Sequence, residues 1–362
     1  GTMSADDLID FVESVSGDAH LAVEERLGDG FVRLKTAEAE RRQAKHDIRC
    51  VEDVVIEMLR NARDAHATSI FLATSREGRM KTLSFLDDGD GIPIEMHERV
   101  FEPRVTSKLE SMVMDKWGVH GRGMALYSIK ANTLEARVIA SGPQLGSSLG
   151  VRIDLDALPE KTDQSSLPVI GRDEEGSTAI VSGPHNVNRT VAEFALDLCD
   201  EVDVFLGSPA EIVATLVDWG RPRLAEMRLL FCDDIETMPL TLRPAAAADA
   251  TELVELSARL GLDVSERTAH RILAGQIAPL EPFLDRLLEH GRDARTTKRE
   301  VDLYRDRRGL RLSEDDLGSF SRALENAFAT LADRYYIDLA EEPIIRVGKD
   351  AITVKFPFDK EL

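Results

Sequence analysis

The chain has 362 residues, 43% of them hydrophobic, which is enough for two or three domains with cores of their own. Its formal net charge of −21 repels a polyanion over most of the surface and so disfavours general electrostatic binding of nucleic acid unless positive charge is concentrated in one place. Cys50, Cys199 and Cys232 are odd in number and far apart, which argues against a disulfide framework or a zinc site.

No run approaches the ~18 apolar residues of a membrane span. The opening GlyThrMet reads as an expression scar and is set aside. With no secretory leader recognised, the expected setting is soluble and cytoplasmic, without a membrane partner.

In chain order, the first informative element is a helix over 51–66. Val54, Val55, Met58, Leu59 and Ala62 recur at helical spacing, so Glu57, Asn61 and Asp64 share another face. The amide oxygen of Asn61 is a hard ligand suited to Mg2+, which takes few protein groups and keeps water and phosphate for the rest of its shell. Glu57, one turn earlier, is placed to align or deprotonate a water attacking a terminal phosphate. Taken alone, the same residues are the wet side of an amphipathic helix.

Two strands follow, at 69–74 and 82–87, joined by a hairpin-like turn at ArgGluGlyArg; the second runs into AspAspGlyAspGly. A carboxylate at the strand end, Asp87, can accept a hydrogen bond from an adenine amino group, with Gly89 and Gly91 letting backbone approach the base. In isolation this is an ordinary Asp/Gly turn. Next, Gly118, Gly121 and Gly123 precede the helix-like run 124–130. Backbone N–H groups in such a loop, backed by a helix N-terminus, make an anion site for phosphates. Neither a P-loop nor a dinucleotide-binding GxGxxG after a strand is present.

These three segments, in this order within 57–126, resemble the GHKL superfamily: gyrase, the ninety-kilodalton heat-shock chaperones, histidine kinases and MutL. The resemblance covers about 51–184. It implies an α+β Bergerat fold, a two-layer α/β sandwich with helices on one face of a mixed sheet, and a mobile lid over ATP at about 102–120. It makes Glu57 the general base, Asn61 the Mg2+ ligand and Asp87 the adenine reader. Asp64, Ala65, Gly89, Gly91, Ile92, Thr106, Lys108, Gly118, Gly121, Arg122, Gly123, Met124 and Thr178 complete the implied ATP site.

Asp64 and Ala65 fit the AsnXxxXxxAspAla pattern shared by MutL, the chaperones and the type IIB topoisomerase B subunits, and histidine kinases usually lack that acid. The segment 101–108 resembles both branches. GluGlySerThrAlaIleValSer at 175–182 is similar to the late GlyThr strand of MutL, whose threonine approaches the adenine-reading carboxylate; Thr178 matches it. A kinase would need a phosphoacceptor, and only His20 and His46 precede the ATP helix. One departure stands out. Relatives present a lysine to the terminal phosphate from a second domain, yet no lysine occurs between Lys161 and Lys298. Either Lys298, Lys349 or Lys355 reaches back, an arginine substitutes, or the second domain is not a transducer of the known type.

The remainder divides by expectation into the ATP domain at 1–185, an α/β connecting region at 186–243, and a mainly helical portion at 244–362 that ends in a β-hairpin at 343–356. Leu240–Asp249, with Pro244 and an alanine run, reads as a linker. Helices are expected at 251–260, 265–274, 280–290 and 315–336, the first two with the cadence of a helix-turn-helix. An arginine-rich stretch runs from Arg286 to Arg311 and reads equally as a solvated helix face.

The expected function is a Mg2+-dependent, ATP-hydrolysing conformational switch that homodimerises or docks a partner protein. A DNA-acting topoisomerase-like or mismatch-repair-like subunit, a protein kinase, and a nucleotide-gated scaffold without turnover are the alternatives.

Overall fold

The computed structural model describes residues 23–29, 31–34, 38–106, 114–115, 118–119, 124–172, 177–199, 201–228, 234–289, 314–335, 337–347 and 352–360. The chain forms two compact units, 1–293 and 294–362.

In the first unit, hairpin strands β1 (Val23–Gly28) and β2 (Phe31–Leu34) lead to helices α1 (Glu38–Asp47) and α2 (Val51–Asp64). The Asp53 carboxylate starts α2 by accepting the backbone N–H groups of Arg49 and Cys50 at 2.8 and 3.2 Å. Strands β3 (Ser69–Glu77) and β4 (Met80–Asp87) then pair tightly around Gly78, whose φ is +59°. They are longer than the sequence suggested, because most of the expected turn is absorbed into the ladder.

Short strands β5 (Val105–Thr106), β6 (Met114–Asp115) and β7 (Gly118–Val119) precede α3 (Ala125–Asn132) and strands β8 (Glu135–Ser141) and β9 (Ser147–Asp154). After these come a separate two-stranded sheet of β10 (Val169–Arg172) and β11 (Thr178–Ser182), then α4 (Val187–Asp197) and β12 (Asp203–Gly207).

The central sheet has the order β12-β3-β4-β9-β8, with β12 parallel to β3 and the other pairs antiparallel. This is an α+β arrangement with a mixed sheet. Alternation along the strands sorts side chains to two faces. Ile70, Leu72, Leu83, Phe85, Val151, Ile153, Val204 and Leu206 share one core with apolar residues of α2, α3 and α4. Phe71, Ala73, Leu86 and Phe205 enter a second core on the other face, with α5 (Pro209–Arg228), α6 (Ala250–Ala258) and α7 (Glu266–Leu273).

Phe71 stacks on Phe205 at 4.8 Å between centroids and meets Trp219 edge-on at 5.4 Å. Full burial of one such side chain is worth about 1.5–3 kcal/mol. The second layer is also pinned by hydroxyls of the sheet: Ser84 donates to the Gly261 carbonyl at 2.8 Å and Ser148 to that of Leu260 at 2.7 Å.

Helices therefore cover both faces of the sheet, and this relocates two expected features. The supposed connecting region at 186–243 supplies β12, because the outer edge of β3 needs a ladder partner. The supposed linker at 240–249 is a 3-10 helix at Leu240–Ala246 with Leu240 and Leu242 buried. The two compact units meet after residue 293.

The second unit contains α8 (Glu314–Tyr335) and the antiparallel pairs β13 (Ile337–Leu339) with β16 (Phe358–Lys360) and β14 (Ile344–Val347) with β15 (Ile352–Lys355). Phe328 stacks on Phe356 at 5.1 Å to hold helix and strands together. In the arginine-rich stretch, residues 290–311 lie outside the described residues, while Arg286 sits over the Phe283 ring at 5.1 Å. No helix among the described residues is long and apolar enough to cross a membrane.

Candidate nucleotide-binding site

Helix α2 carries Glu57, Asn61 and Asp64 on successive turns. Glu57 Oε1 accepts from Arg60 Nη1 at 2.7 Å; Arg60 is only 5% exposed and Glu57 21%. The Asp64 carboxylate is paired with Arg63 at 2.8 Å. Ala65 ends the helix, and its carbonyl accepts the N–H of Asp90 at 2.8 Å. The helix end and the turn after β4 are thereby bonded to each other.

The turn holds three aspartates, and the structure gives them different work. Asp88 takes the N–H groups of Thr68 and Ser69 and the Thr68 hydroxyl, each at 2.8 Å, and so anchors the start of β3. Asp90 is exposed and pairs with His66 Nδ1 at 2.7 Å. Asp87 alone is buried, at 3% exposure. Its Oδ1 accepts the Gly89 N–H at 2.9 Å and its Oδ2 accepts the Ser147 hydroxyl. These two bonds fix the orientation of the carboxylate.

The glycines answer to the protein's own backbone as much as to any base. A Cβ at Gly89 would stand 2.5 Å from the Ala65 carbonyl oxygen. At Gly91, where φ is +77°, it would stand 1.9 Å from that of Gly142. Gly146 has φ +80° and a Cβ there would meet the Asp87 carbonyl at 2.2 Å. The Ser141 hydroxyl ties the same junction, accepting from the Ile92 N–H at 2.7 Å and donating to the Gly146 carbonyl at 2.8 Å. Gly91→Ala is therefore expected to cost about 2–4 kcal/mol of unfolding free energy, read from the denaturant midpoint.

Ser147 is the residue that the sequence reading missed. It lies across the ladder from Asp87 in the β4–β9 register. Its local signal is a GlySerSer run at 146–148 leading into the alternating stretch that forms β9. Thr178, expected against the adenine-reading carboxylate, is instead exposed on β11, outside the five-stranded sheet. The hydroxyl that reaches Asp87 comes from Ser147 because only β9 pairs with β4 on that side.

Of the glycine-rich segment, Gly118 pairs with Asp115 in a β6–β7 hairpin, and Met124 leads into α3, its carbonyl accepting the Ser128 N–H and hydroxyl at 2.8 Å each. Thr106 pairs with Val32 at the start of the expected lid. Lys108, Gly121, Arg122 and Gly123 lie outside the described residues, as do His20, Lys298, Lys349 and most of the expected lid. Lys355 is exposed on β15 in the second unit, and His46 is exposed on α1.

Among the described residues no group of three or more His, Cys, Asp or Glu side chains is placed to hold a metal ion.

The family model described as histidine kinase-, DNA gyrase B- and HSP90-like ATPase matches residues 46–161. The DNA mismatch repair protein MutL of Thermus aquaticus is 36% identical over 115 residues, 30% of this chain and 21% of that protein. MutL from Thermus thermophilus is 38% identical over 117 residues, 30% and 20% of the two chains. The chain thus spans about a fifth of the length of these relatives. A solved structure, full-length ShkA in complex with AMPPNP, overlaps 57% of this chain and 40% of that one at 16% identity, with a TM-score of 0.23 that carries no argument. The matched stretch encloses the Glu57 helix, the Asp87 turn and Ser147, so this part of the chain is similar to the GHKL-type ATP-binding domain.

Proposed function

We propose that the domain binds ATP with Mg2+, hydrolyses it slowly, and uses the nucleotide to switch an assembly surface. The observation that carries this reading is the buried Asp87, oriented by Ser147 and Gly89 and bonded through the Ala65–Asp90 link to the helix that bears Glu57 and Asn61. A buried carboxylate at a strand end, held from both sides, is built to accept the adenine amino group. Asn61 would offer its amide oxygen to Mg2+, which neutralises phosphate charge when bound. Glu57, held by Arg60, would orient or deprotonate the attacking water. The Asp64, Ala65, Ile92 and Met124 positions line the path between base and phosphates in this reading, with Thr106, Lys108, Gly118, Gly121, Arg122 and Gly123 supplying the lid and phosphate loop.

Light scattering with a non-hydrolysable ATP analogue tests the switch. The expected result is a shift from monomer to dimer that requires Mg2+ and reverses on nucleotide removal. Nucleotide binding without any mass change would sink homodimerisation and direct the search to a partner protein.

A DNA-acting role is the second reading, favoured by the mismatch repair relatives over 115–117 residues. It requires salt-sensitive DNA binding that weakens when the arginines at 286–311 are neutralised, against the repulsion of a net charge of −21. No DNA retention at low salt would dismiss it.

A further inference from the structure

Arg60 stands one turn from Glu57 on α2, with its side chain 5% exposed and its Nη1 2.7 Å from Glu57 Oε1. A buried cation is retained when it is paired, and an arginine cannot shed its proton to escape burial. Structural pairing alone accounts for the contact in the absence of nucleotide. The site poses a second demand. A triphosphate brings several negative charges to a helix whose proposed base is itself an anion, and like charges at close range oppose each other. No lysine occurs between Lys161 and Lys298, the segment that follows the matched domain.

We propose that Arg60 is a positioning residue that both holds the Glu57 carboxylate and cancels its charge, so that the triphosphate and a deprotonated base can occupy the site together. The inference rests on the ATP-site reading given above. In charge terms the Arg60–Glu57 pair is neutral, Arg60→Met leaves −1, Glu57→Gln leaves +1, and the double variant is neutral again.

The test is calorimetric binding of a non-hydrolysable ATP analogue and of adenosine, each with Mg2+, to the wild type, R60M, R60K, E57Q and R60M/E57Q. R60M should weaken the ATP analogue about tenfold or more, the scale of one uncompensated charge in a partly buried site, while adenosine affinity barely moves. E57Q should bind at least as tightly as the wild type, R60M/E57Q should return close to it, and R60K should retain most of its affinity. Equal losses for the ATP analogue and adenosine, or a double variant no better than R60M, would overturn the proposal and leave Arg60 a structural residue. If R60M does not fold, E57Q binding the ATP analogue more weakly than the wild type, or R60M/E57Q binding it about tenfold more weakly, overturns the proposal. A wild type that binds neither ligand removes the ATP reading and this inference with it; normal ATP binding by R60M removes the inference alone.

Discussion

Asp87→Asn is expected to abolish measurable ATP binding. The carboxylate sits at the end of β4 with a donor on each oxygen, the Gly89 N–H at 2.9 Å and the Ser147 hydroxyl. An amide has one acceptor oxygen and one NH2, so one of these donors, or the adenine amino group, must face another donor. Hydrogen bonds to a charged group contribute about 1.5–3 kcal/mol each, and a buried donor left unpaired costs about 1–3 kcal/mol. The combined effect on affinity is therefore a factor of about a hundred or more. Ser147→Ala removes one orienting donor and keeps the charge, so its effect should stay near tenfold. Titration calorimetry with ATP separates these outcomes. Asp87→Asn binding like the wild type would remove Asp87 from the role of adenine reader, and the rest of the site assignment would lose its anchor.

The second large effect belongs to Glu57→Gln, which should bind ATP and fail to turn it over. Gln preserves the side-chain length and an oxygen for Arg60, so the helix and its buried guanidinium keep their geometry. What disappears is the capacity to take a proton or polarise a water, worth about 10²–10⁴ in rate for a positioned general base. Single-turnover hydrolysis measured beside the dissociation constant isolates the chemical step. Wild-type turnover in the variant would favour the nucleotide-gated scaffold, with any hydrolysis arising elsewhere.

The parts of the site that the sequence announced were those confined to one element. Helical periodicity placed Glu57 and Asn61 on α2, and the end of an apolar strand placed Asp87. Ser147 escaped because its role is a ladder register, Asp87 opposite Ser147, and register between strands about 60 residues apart is invisible to local pattern. The Thr178 expectation rests on a likeness to the late GlyThr strand of MutL, and the residue lies on β11 in a two-stranded sheet of its own. The second helical layer escaped for a related reason: Pro244 and the alanine run at 245–248 have linker composition, while the burial of Leu240 and Leu242 depends on α5 beneath them. A usable signal was present in IlePheLeuAla at 70–73, an apolar run without alternation, the mark of a strand covered on both faces.

The parallel pairing of β12 with β3 also sets an order of events during synthesis. Strands β3, β4 and β9 can zip as the chain emerges, since each pairs with an antiparallel neighbour. Asp203 joins Ser69 only after about 130 further residues have left the ribosome, and α5 to α7 later still. Until then Phe71 and Leu86 lack their cover, so the nascent chain passes through an interval in which an apolar sheet face is open to misassociation. A ligand that stiffens the early strands does nothing to shorten that interval; only the arrival of the distant segment closes it.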